Sequence, residues 1–151
     1  MKKLMLLAVV VSYSHLAAAQ NKTSPVVTGI PKFSISLGGF KGGNITADML
    51  KRIVDSSLKA RDEKGALYNV TGFRVNYFFK STVKDEVTEQ TKTVKDYRAY
   101  EFYSTDIMSE LWRDSIKDNV KKDDEMLIDN IYVRLKNGKK MRAEGIRFKV
   151  L

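Results

Sequence analysis

The chain has 151 residues, of which 27 are Lys or Arg and 18 are Asp or Glu, with one histidine and no cysteine. The absence of cysteine excludes disulfides, thiol nucleophiles and thiolate metal sites. The single histidine, His15, lies in a segment with the features of an export signal. Its removal would leave no imidazole for a Ser-His-Asp triad or a zinc site.

Residues 1–19 have the three parts of a secretory signal peptide. Lys2 and Lys3 form the basic region, residues 4–11 are apolar, and residues 17–19 are three alanines at the expected cleavage point. The apolar run is far shorter than the roughly 20 residues that span a bilayer, and no later segment is long enough. We therefore predict an exported protein without a membrane span.

The same segmentation predicts the domain organisation. After the cleaved signal peptide (1–19), residues 20–31 are polar, contain both prolines of the chain, and are typical of an extended leader. Residues 32–151 contain no proline and are long enough for one domain with its own core. We expect a single domain there.

The first predicted elements of this domain are a strand over residues 33–37 and a helix after a glycine-rich turn. Asn44 or Thr46 can cap the helix. Its apolar stripe would consist of Met49, Leu50, Ile53, Val54 and Leu58. Residues 59–65 either end this helix or begin a polar edge strand.

The turn GGFKGGN (38–44) allows two interpretations. Its glycines can supply positive φ or a close backbone approach, which we favour. Alternatively, its N–H groups and Lys41 could hold an anion before the helix, but the glycine spacing matches neither common phosphate-binding motif.

The clearest strand covers residues 70–80. One face of it is apolar and consists of Phe73, Val75, Tyr77 and Phe79. Phe78 falls on the opposite, polar face. Residues 81–96 are polar and lack core-forming periodicity, so we predict a long exposed hairpin arm, followed by an aromatic strand over 97–103.

A second helix is predicted after Ser104 or Thr105 as its cap. Its apolar face would consist of Ile107, Met108, Leu111, Trp112 and Ile116.

The remaining elements are predicted strands. One covers 126–135 with a bulge at Asp129-Asn130, and Asn137-Gly138 predicts a type I′ hairpin turn. Residues 139–142 form the second strand of this hairpin. Residues 146–150 form a last strand that could pair with another chain if it lies at an edge. Six to seven strands and two short helices predict a mainly β fold, an immunoglobulin-like β-sandwich.

The acidic residues form no pattern typical of a catalytic or metal site. Asp123, Asp124 and Glu125 are adjacent and cannot converge on calcium, so we predict a solvated turn. Most other candidate carboxylates for glycoside hydrolysis lie in the polar arm, where nothing would shift their pKa: Asp85, Glu86 and Glu89, with Glu101 beyond it. We expect no catalytic residue, metal or cofactor.

Five side chains are candidates for contact with a partner: Phe40, Lys41, Phe78, Tyr100 and Trp112. We expect Trp112 in the core, and the alternative is that it anchors an interface beside Tyr100 or Phe78. The positive charge suits anionic envelope surfaces or an acidic protein. A nucleic-acid partner is not expected, because the aromatics recur at core periodicity and the chain carries an export signal.

Three segments, FSISLGGFKGGNI, VTGFRVNY and IDNIYVRLKNGKKMRAEGIRFKV, occur in order along residues 31–151. Together they resemble the C-terminal periplasmic domain of the gliding-motility and type IX secretion protein GldM (PorM) of Bacteroidetes. The resemblance implies a non-enzymatic β-rich module that contacts envelope proteins, among them secretion-ring components. It also implies a location in the periplasm, at the outer membrane or outside the cell. A homodimer is left open, and the alternative function is carbohydrate or peptidoglycan binding.

Overall fold

The computed structural model describes residues 31–151, so the predicted signal peptide and nearly all of the predicted leader lie outside the described residues. The elements in chain order are β1 (Ser34–Leu37), β2 (Gly43–Ile45), α1 (Ala47–Ile53), β3 (Leu58–Arg61), β4 (Leu67–Lys84), β5 (Thr91–Tyr103), α2 (Glu110–Asn119), β6 (Glu125–Arg134), β7 (Lys140–Ala143) and β8 (Ile146–Val150). The prediction of a mainly β domain with two short helices is confirmed. The eighth strand is β2, which sequence alternation did not indicate.

The strands are joined in the order β1-β3-β4-β6-β8-β2, with β5 added to β4 and β7 added to β6. All pairs are antiparallel except β2 with β8. The end strands β1 and β2 follow each other in the chain, and Phe40 of the short turn between them forms a bridge with Leu37 of β1. The sheet is therefore curled, whereas the two-layer detail of an immunoglobulin-like sandwich stays a prediction.

The core lies inside this curl. Because side chains alternate along each strand, every second residue of the long strands points inward. The largest fully buried side chains come from strands, both helices and the segments beside them: Leu37, Leu50, Val54, Val75, Met108, Ile116, Met126, Ile128, Ile131, Val133, Phe148 and Val150.

Helix α1 begins at the predicted cap but is shorter than the apolar stripe suggested. The Oγ1 atom of Thr46 accepts a hydrogen bond from the N–H of Met49 at 3.2 Å. The helix ends at Ile53, so placing Leu58 on it was wrong, since Leu58 begins β3. Strand β3 is bonded to β1 on one side and β4 on the other, so it is a strand but not an edge.

The predicted start of α2 was also wrong. The residue before the helix is Ser109, whereas Ser104 and Thr105 belong to a loop whose Asp106 carbonyl accepts a hydrogen bond from the N–H of Leu58 at 2.7 Å. This long-range bond holds the loop against β3. Leu111 is 79% exposed and is therefore not part of the packed face.

The bulge in β6 is confirmed at Asn130. Two β6 residues, Asn130 and Ile131, stand opposite the single β4 residue Phe73, and Asn130 has a φ of 49°. Bulges commonly contain a residue in this left-handed region, and asparagine tolerates it.

The Asn137-Gly138 hairpin is confirmed, but its turn type was predicted wrongly. A type I′ turn needs positive φ at both central residues, and here only Gly138 has it, at 82°. The Asn137 side chain instead accepts a hydrogen bond from the N–H of Lys139 at 3.1 Å. The last strand, β8, lies between β6 and β2 and is not an edge.

The glycines of the turn between β1 and β2 have the positive φ values that we favoured for them. Gly42 has a φ of +102°, and a Cβ atom there would lie 2.7 Å from the carbonyl oxygen of Arg147 in β8. Gly39 has a similar φ of +89°, but a Cβ atom on it would meet nothing within 4 Å. Substitutions at Gly42 and Gly39 therefore distinguish the cost of steric contact from the cost of backbone strain, because both have positive φ and only Gly42 is closely approached.

We expect Gly42→Ala to lower the free energy of unfolding by about 3 kcal/mol, because strain and overpacking against a strand backbone combine. Gly39→Ala is the matched control and should cost only about 1 kcal/mol, from strain alone. Urea unfolding followed by the fluorescence of Trp112 measures both. Equal losses would show that the approach of β2 to β8 does not require glycine.

Candidate functional site

A groove of about 470 Å³ lies between the inward face of the β4–β5 hairpin and helix α2. We call it the α2 groove. It is lined by Tyr77, Phe79, Lys80 and Arg98 from the strands, Leu111, Trp112, Ser115, Ile116 and Asn119 from the helix, and Lys121 and Asp124 from the segment after it. Its volume lies in the range of pockets that hold small molecules.

Helix α2 lies at one side of the hairpin, and ion pairs connect it to the end of α1. Asp55, just after α1, contacts Lys117 at 2.7 Å and Arg113 at 3.3 Å. Trp112 lies on the side of α2 that faces the sheet and packs against β5. The centroid of the Trp112 ring is 6.0 Å from that of Tyr100 and 6.2 Å from that of Phe102. The space beyond Trp112, toward the arm, stays open.

The floor of the α2 groove is aromatic. Tyr77 and Phe79 are neighbours on the inward face of β4, and their stacked rings have centroids 6.3 Å apart. Tyr77 is almost completely buried and Phe79 only half-buried. An apolar surface is therefore available at the hairpin end of the groove.

Arg98 carries positive charge into this apolar surface. Its guanidinium lies 5.2 Å from the centroid of the Phe79 ring, and its Nη1 donates a hydrogen bond to Oγ of Ser115 at 3.2 Å. Within residues 31–151 no carboxylate lies within ion-pairing distance of Arg98 or of Lys121. The remaining N–H donors of Arg98 can therefore bind an anion.

The acidic group in the wall of the groove is engaged internally. Asp124 is only 2% exposed, and its Oδ2 accepts hydrogen bonds from the hydroxyl of Tyr77 at 2.7 Å and from the N–H of Lys121 at 2.9 Å. Burial, together with this carboxylate, raises the pKa of Tyr77. The prediction of a solvated acidic turn was thus wrong for Asp124, which connects β4 to the start of β6.

The opposite, outward face of the hairpin is charged, and most of its charges are paired. Phe78 lies there against Tyr97, with 5.9 Å between ring centroids, and under the ammonium group of Lys95 at 5.5 Å. Lys95 and Arg147 both contact Glu125. A second hollow of about 490 Å³ on this side includes two such pairs in its lining, Lys80 with Asp123 and Lys95 with Glu125.

Arg74 and Asp129 form the best-aligned ion pair of the outward face. Nε of Arg74 lies 2.8 Å from Oδ1 of Asp129, and Nη2 lies 2.9 Å from Oδ2. These hydrogen bonds lower the pKa of Asp129, against a smaller opposing effect of burial.

Strand β5 is an edge. Within the described residues it pairs with β4 alone, and of its thirteen residues only Phe102 is buried. Its exposed tyrosines include Tyr97, at 62% exposure, and Tyr103, at 75%. The hydroxyl of Tyr103 donates a hydrogen bond to Glu101.

The five predicted partner-contact residues fall in three places. Tyr100 and Trp112 are in contact beside the α2 groove. Phe78 lies on the outward face of the same hairpin, and Phe40 and Lys41 are exposed in the turn between β1 and β2. The five residues therefore do not form one continuous site.

Sequence reasoning missed Arg98 and Ser115 as neighbours of the aromatic floor. One signal was present, because the alternation of residues 97–103 places Arg98 on the same strand face as Tyr100 and Phe102. The position of Ser115 carried no such signal, since it depends on how α2 packs across β5.

No group of three or more His, Cys, Asp or Glu side chains within residues 31–151 is placed to hold a metal ion. No helix in this part of the chain is long and apolar enough to cross a membrane.

Comparison of the sequence with protein-family models gave no match, and comparison with curated proteins gave none either. The resemblance to the GldM C-terminal domain therefore depends on the three segments that suggested it.

We expect Asp129→Asn to lower the free energy of unfolding by about 1 kcal/mol at pH 7, because it removes a bidentate pair that is partly exposed. Asp129 has a lowered pKa when folded, so its contribution is complete above the unfolded value of about 3.9 and is lost as pH falls through the folded pKa. The difference from wild type should shrink below about pH 4.

Urea unfolding at pH 7, 4 and 3 measures this dependence. Asp118→Asn is the control, since Asp118 is exposed on α2 and makes no ion pair within residues 31–151. It should change the free energy by less than about 0.5 kcal/mol. A loss for Asp129→Asn that stays constant down to pH 3 would exclude the ion pair as its cause.

Proposed function

We propose that this protein is a non-catalytic binding module of the cell envelope that adds a strand of a partner protein to the open edge of β5. The proposal includes export to the periplasm or the outer membrane, and partners among envelope proteins such as secretion-ring components, as the resemblance to GldM implies. The observation that carries it is the length and exposure of β5.

Long exposed edge strands are uncommon because they invite unwanted pairing, and many proteins shorten or cover them. Domains that bind extended peptides keep such an edge open, since main-chain hydrogen bonds supply affinity and side chains supply specificity. Only one of the thirteen residues of β5 is buried, so β5 is available to pair with an added strand.

The direction of the backbone groups supports strand addition. The N–H of Ser104, just after β5, donates to the carbonyl of Thr71 in β4 at 3.0 Å, so by alternation the N–H of Tyr97 faces away from β4. It donates there to Oδ1 of Asp96 at 2.8 Å. Groups on the open side recur at every second residue of an antiparallel strand. The N–H groups of Ala99 and Glu101 therefore also face the open side, beside the exposed rings of Tyr97 and Tyr103.

The charge of the chain indicates the partner's chemistry. The formal net charge is +9, whereas β5 itself carries Lys92, Lys95 and Arg98 against Asp96 and Glu101. The net positive charge of the chain as a whole favours encounter with an acidic protein and disfavours basic ones. We therefore assign the edge to an acidic partner strand.

One observation favours carbohydrate binding as a second candidate function. Tyr103 on β5 and Tyr132 on β6 both pair with Gly72 of β4, and they are 75% and 44% exposed. Because Gly72 has no side chain, nothing from β4 rises between the two rings. Such a row of exposed tyrosines can stack on sugar rings.

We expect Ala99→Pro to abolish capture of the partner, because proline removes an N–H on the open side and adds a ring there. Ala99→Thr keeps the N–H and is the matched control. Tagged wild type, Ala99→Pro and Ala99→Thr are each crosslinked in envelope extract, and the captured proteins are compared by mass spectrometry. A protein captured by wild type and Ala99→Thr should fall at least about tenfold with Ala99→Pro.

Urea unfolding shows whether Ala99→Pro still folds, and we expect a loss of no more than about 1 kcal/mol, since an edge position tolerates proline. Equal capture by a folded Ala99→Pro would contradict strand addition. Reproducible absence of any captured protein after crosslinking would contradict a protein partner altogether.

A glycan array separates the second function from the first. If the second function holds, wild type retains glycans, and Tyr103→Ala combined with Tyr132→Ala reduces retention at least about tenfold, since stacking on both rings is lost. Ala99→Pro should leave retention unchanged. If the first function holds alone, no glycan is retained by any variant.

A further inference from the structure

We propose that the α2 groove binds a small apolar carboxylate, that is, a molecule with an aromatic or aliphatic body and one carboxylate group. This inference is independent of strand addition at β5. It concerns the inward face of the hairpin, whereas strand addition uses the open backbone edge of β5.

The apolar body is matched by the floor and mouth of the groove. Phe79 is only half-buried, although it lies on the strand face whose other aromatic side chains are packed. Trp112 is also half-buried, and Leu111 is 79% exposed at the rim. A ligand placed over Phe79 would cover apolar surface that the protein itself leaves open to water.

The carboxylate is matched by Arg98. Arg98 is exposed, and its guanidinium contacts the face of Phe79 and the hydroxyl of Ser115, which reduces the side-chain freedom to be lost when an anion binds. One of its five N–H donors is used by Ser115. The others can form a bidentate pair with a carboxylate.

The other charged residues around the groove also favour a negatively charged ligand. Lys80 is paired with Asp123 at 2.9 Å, whereas Lys121 has no carboxylate within ion-pairing distance in the part of the chain that the structure describes. Asp124 is buried and bonded to Tyr77, so it is withdrawn from the opening. The accessible charge of the groove is therefore positive.

The test uses three probes that share one body and differ in charge: 4-phenylbutyrate, 4-phenylbutanol and 4-phenylbutylamine. The sequence contains a single tryptophan, so its fluorescence reports on the groove directly. We expect 4-phenylbutyrate to bind at least about tenfold more tightly than the alcohol, because hydrogen bonds between charged groups are stronger than those that involve a neutral hydroxyl. The amine should bind more weakly than the alcohol.

Arg98→Gln should reduce the affinity for 4-phenylbutyrate about tenfold, to that of the alcohol, and leave the affinity for the alcohol unchanged. Arg142→Gln is the charge-matched control, because Arg142 is exposed on β7, opposite Tyr132 on the other face of the sheet. It should change neither affinity by more than about twofold. Urea unfolding establishes that each variant is folded.

If Arg98→Gln does not fold, ¹⁵N NMR titration of wild type replaces it, and 4-phenylbutyrate should shift the Arg98 Nε and Trp112 Nε1 signals together. Equal affinity for acid and alcohol would overturn the proposal, as would an unchanged Trp112 signal at millimolar 4-phenylbutyrate. Binding of peptides ending in phenylalanine, without binding of 4-phenylbutyrate, would also overturn it and assign the groove to a protein terminus.

Discussion

Strand β4 runs through the whole fold, and the other elements take their positions from its hydrogen bonds. It begins beside β3, pairs with β6 as far as Phe78, and pairs with β5 from Gly72 to Lys84. Since β6 stops before β4 does, the last part of the hairpin projects as a two-stranded arm. The open edge of β5 has a separate cause: β5 and β6 pair with opposite sides of β4, and within the described residues no strand pairs with the other side of β5.

The alternation of side chains along the hairpin separates two chemical surfaces on one element. Inward residues bring aromatic rings and one guanidinium toward α2, whereas outward residues form ion pairs with β6, and Arg147 of β8 contacts one of the same β6 carboxylates. Exposed ion pairs contribute little stability. Their main effect here is to neutralise charge on the outward face, which leaves Arg98 and Lys121 as accessible cations at the groove.

A buried polar contact connects the groove to the core. The carboxylate of Asp124 accepts hydrogen bonds from the hydroxyl of Tyr77 and the N–H of Lys121. Its backbone carbonyl accepts one from the N–H of Val150, at the end of β8, at 2.8 Å. A buried carboxylate is tolerated when such donors surround it. The end of the groove is thus built from the same hydrogen bonds that join β4, β6 and β8, so its shape should be rigid.

Local features of the fold could be predicted from the amino-acid sequence alone. Alternation located β1, β8 and the inward face of β4, and Thr46, Asn130 and Gly138 marked a cap, a bulge and a turn, because each depends on the chemistry of a few neighbouring residues. Features that depend on contacts between residues far apart in the chain became visible only in the folded structure. The three-residue strand β2 exists through its pairing with β8, α2 begins late because its preceding loop is bonded to β3, and Asp124 is buried because Tyr77 reaches it. Ser115 meets Arg98 for the same kind of reason, since the packing of a helix across a strand brings together residues that no local pattern connects.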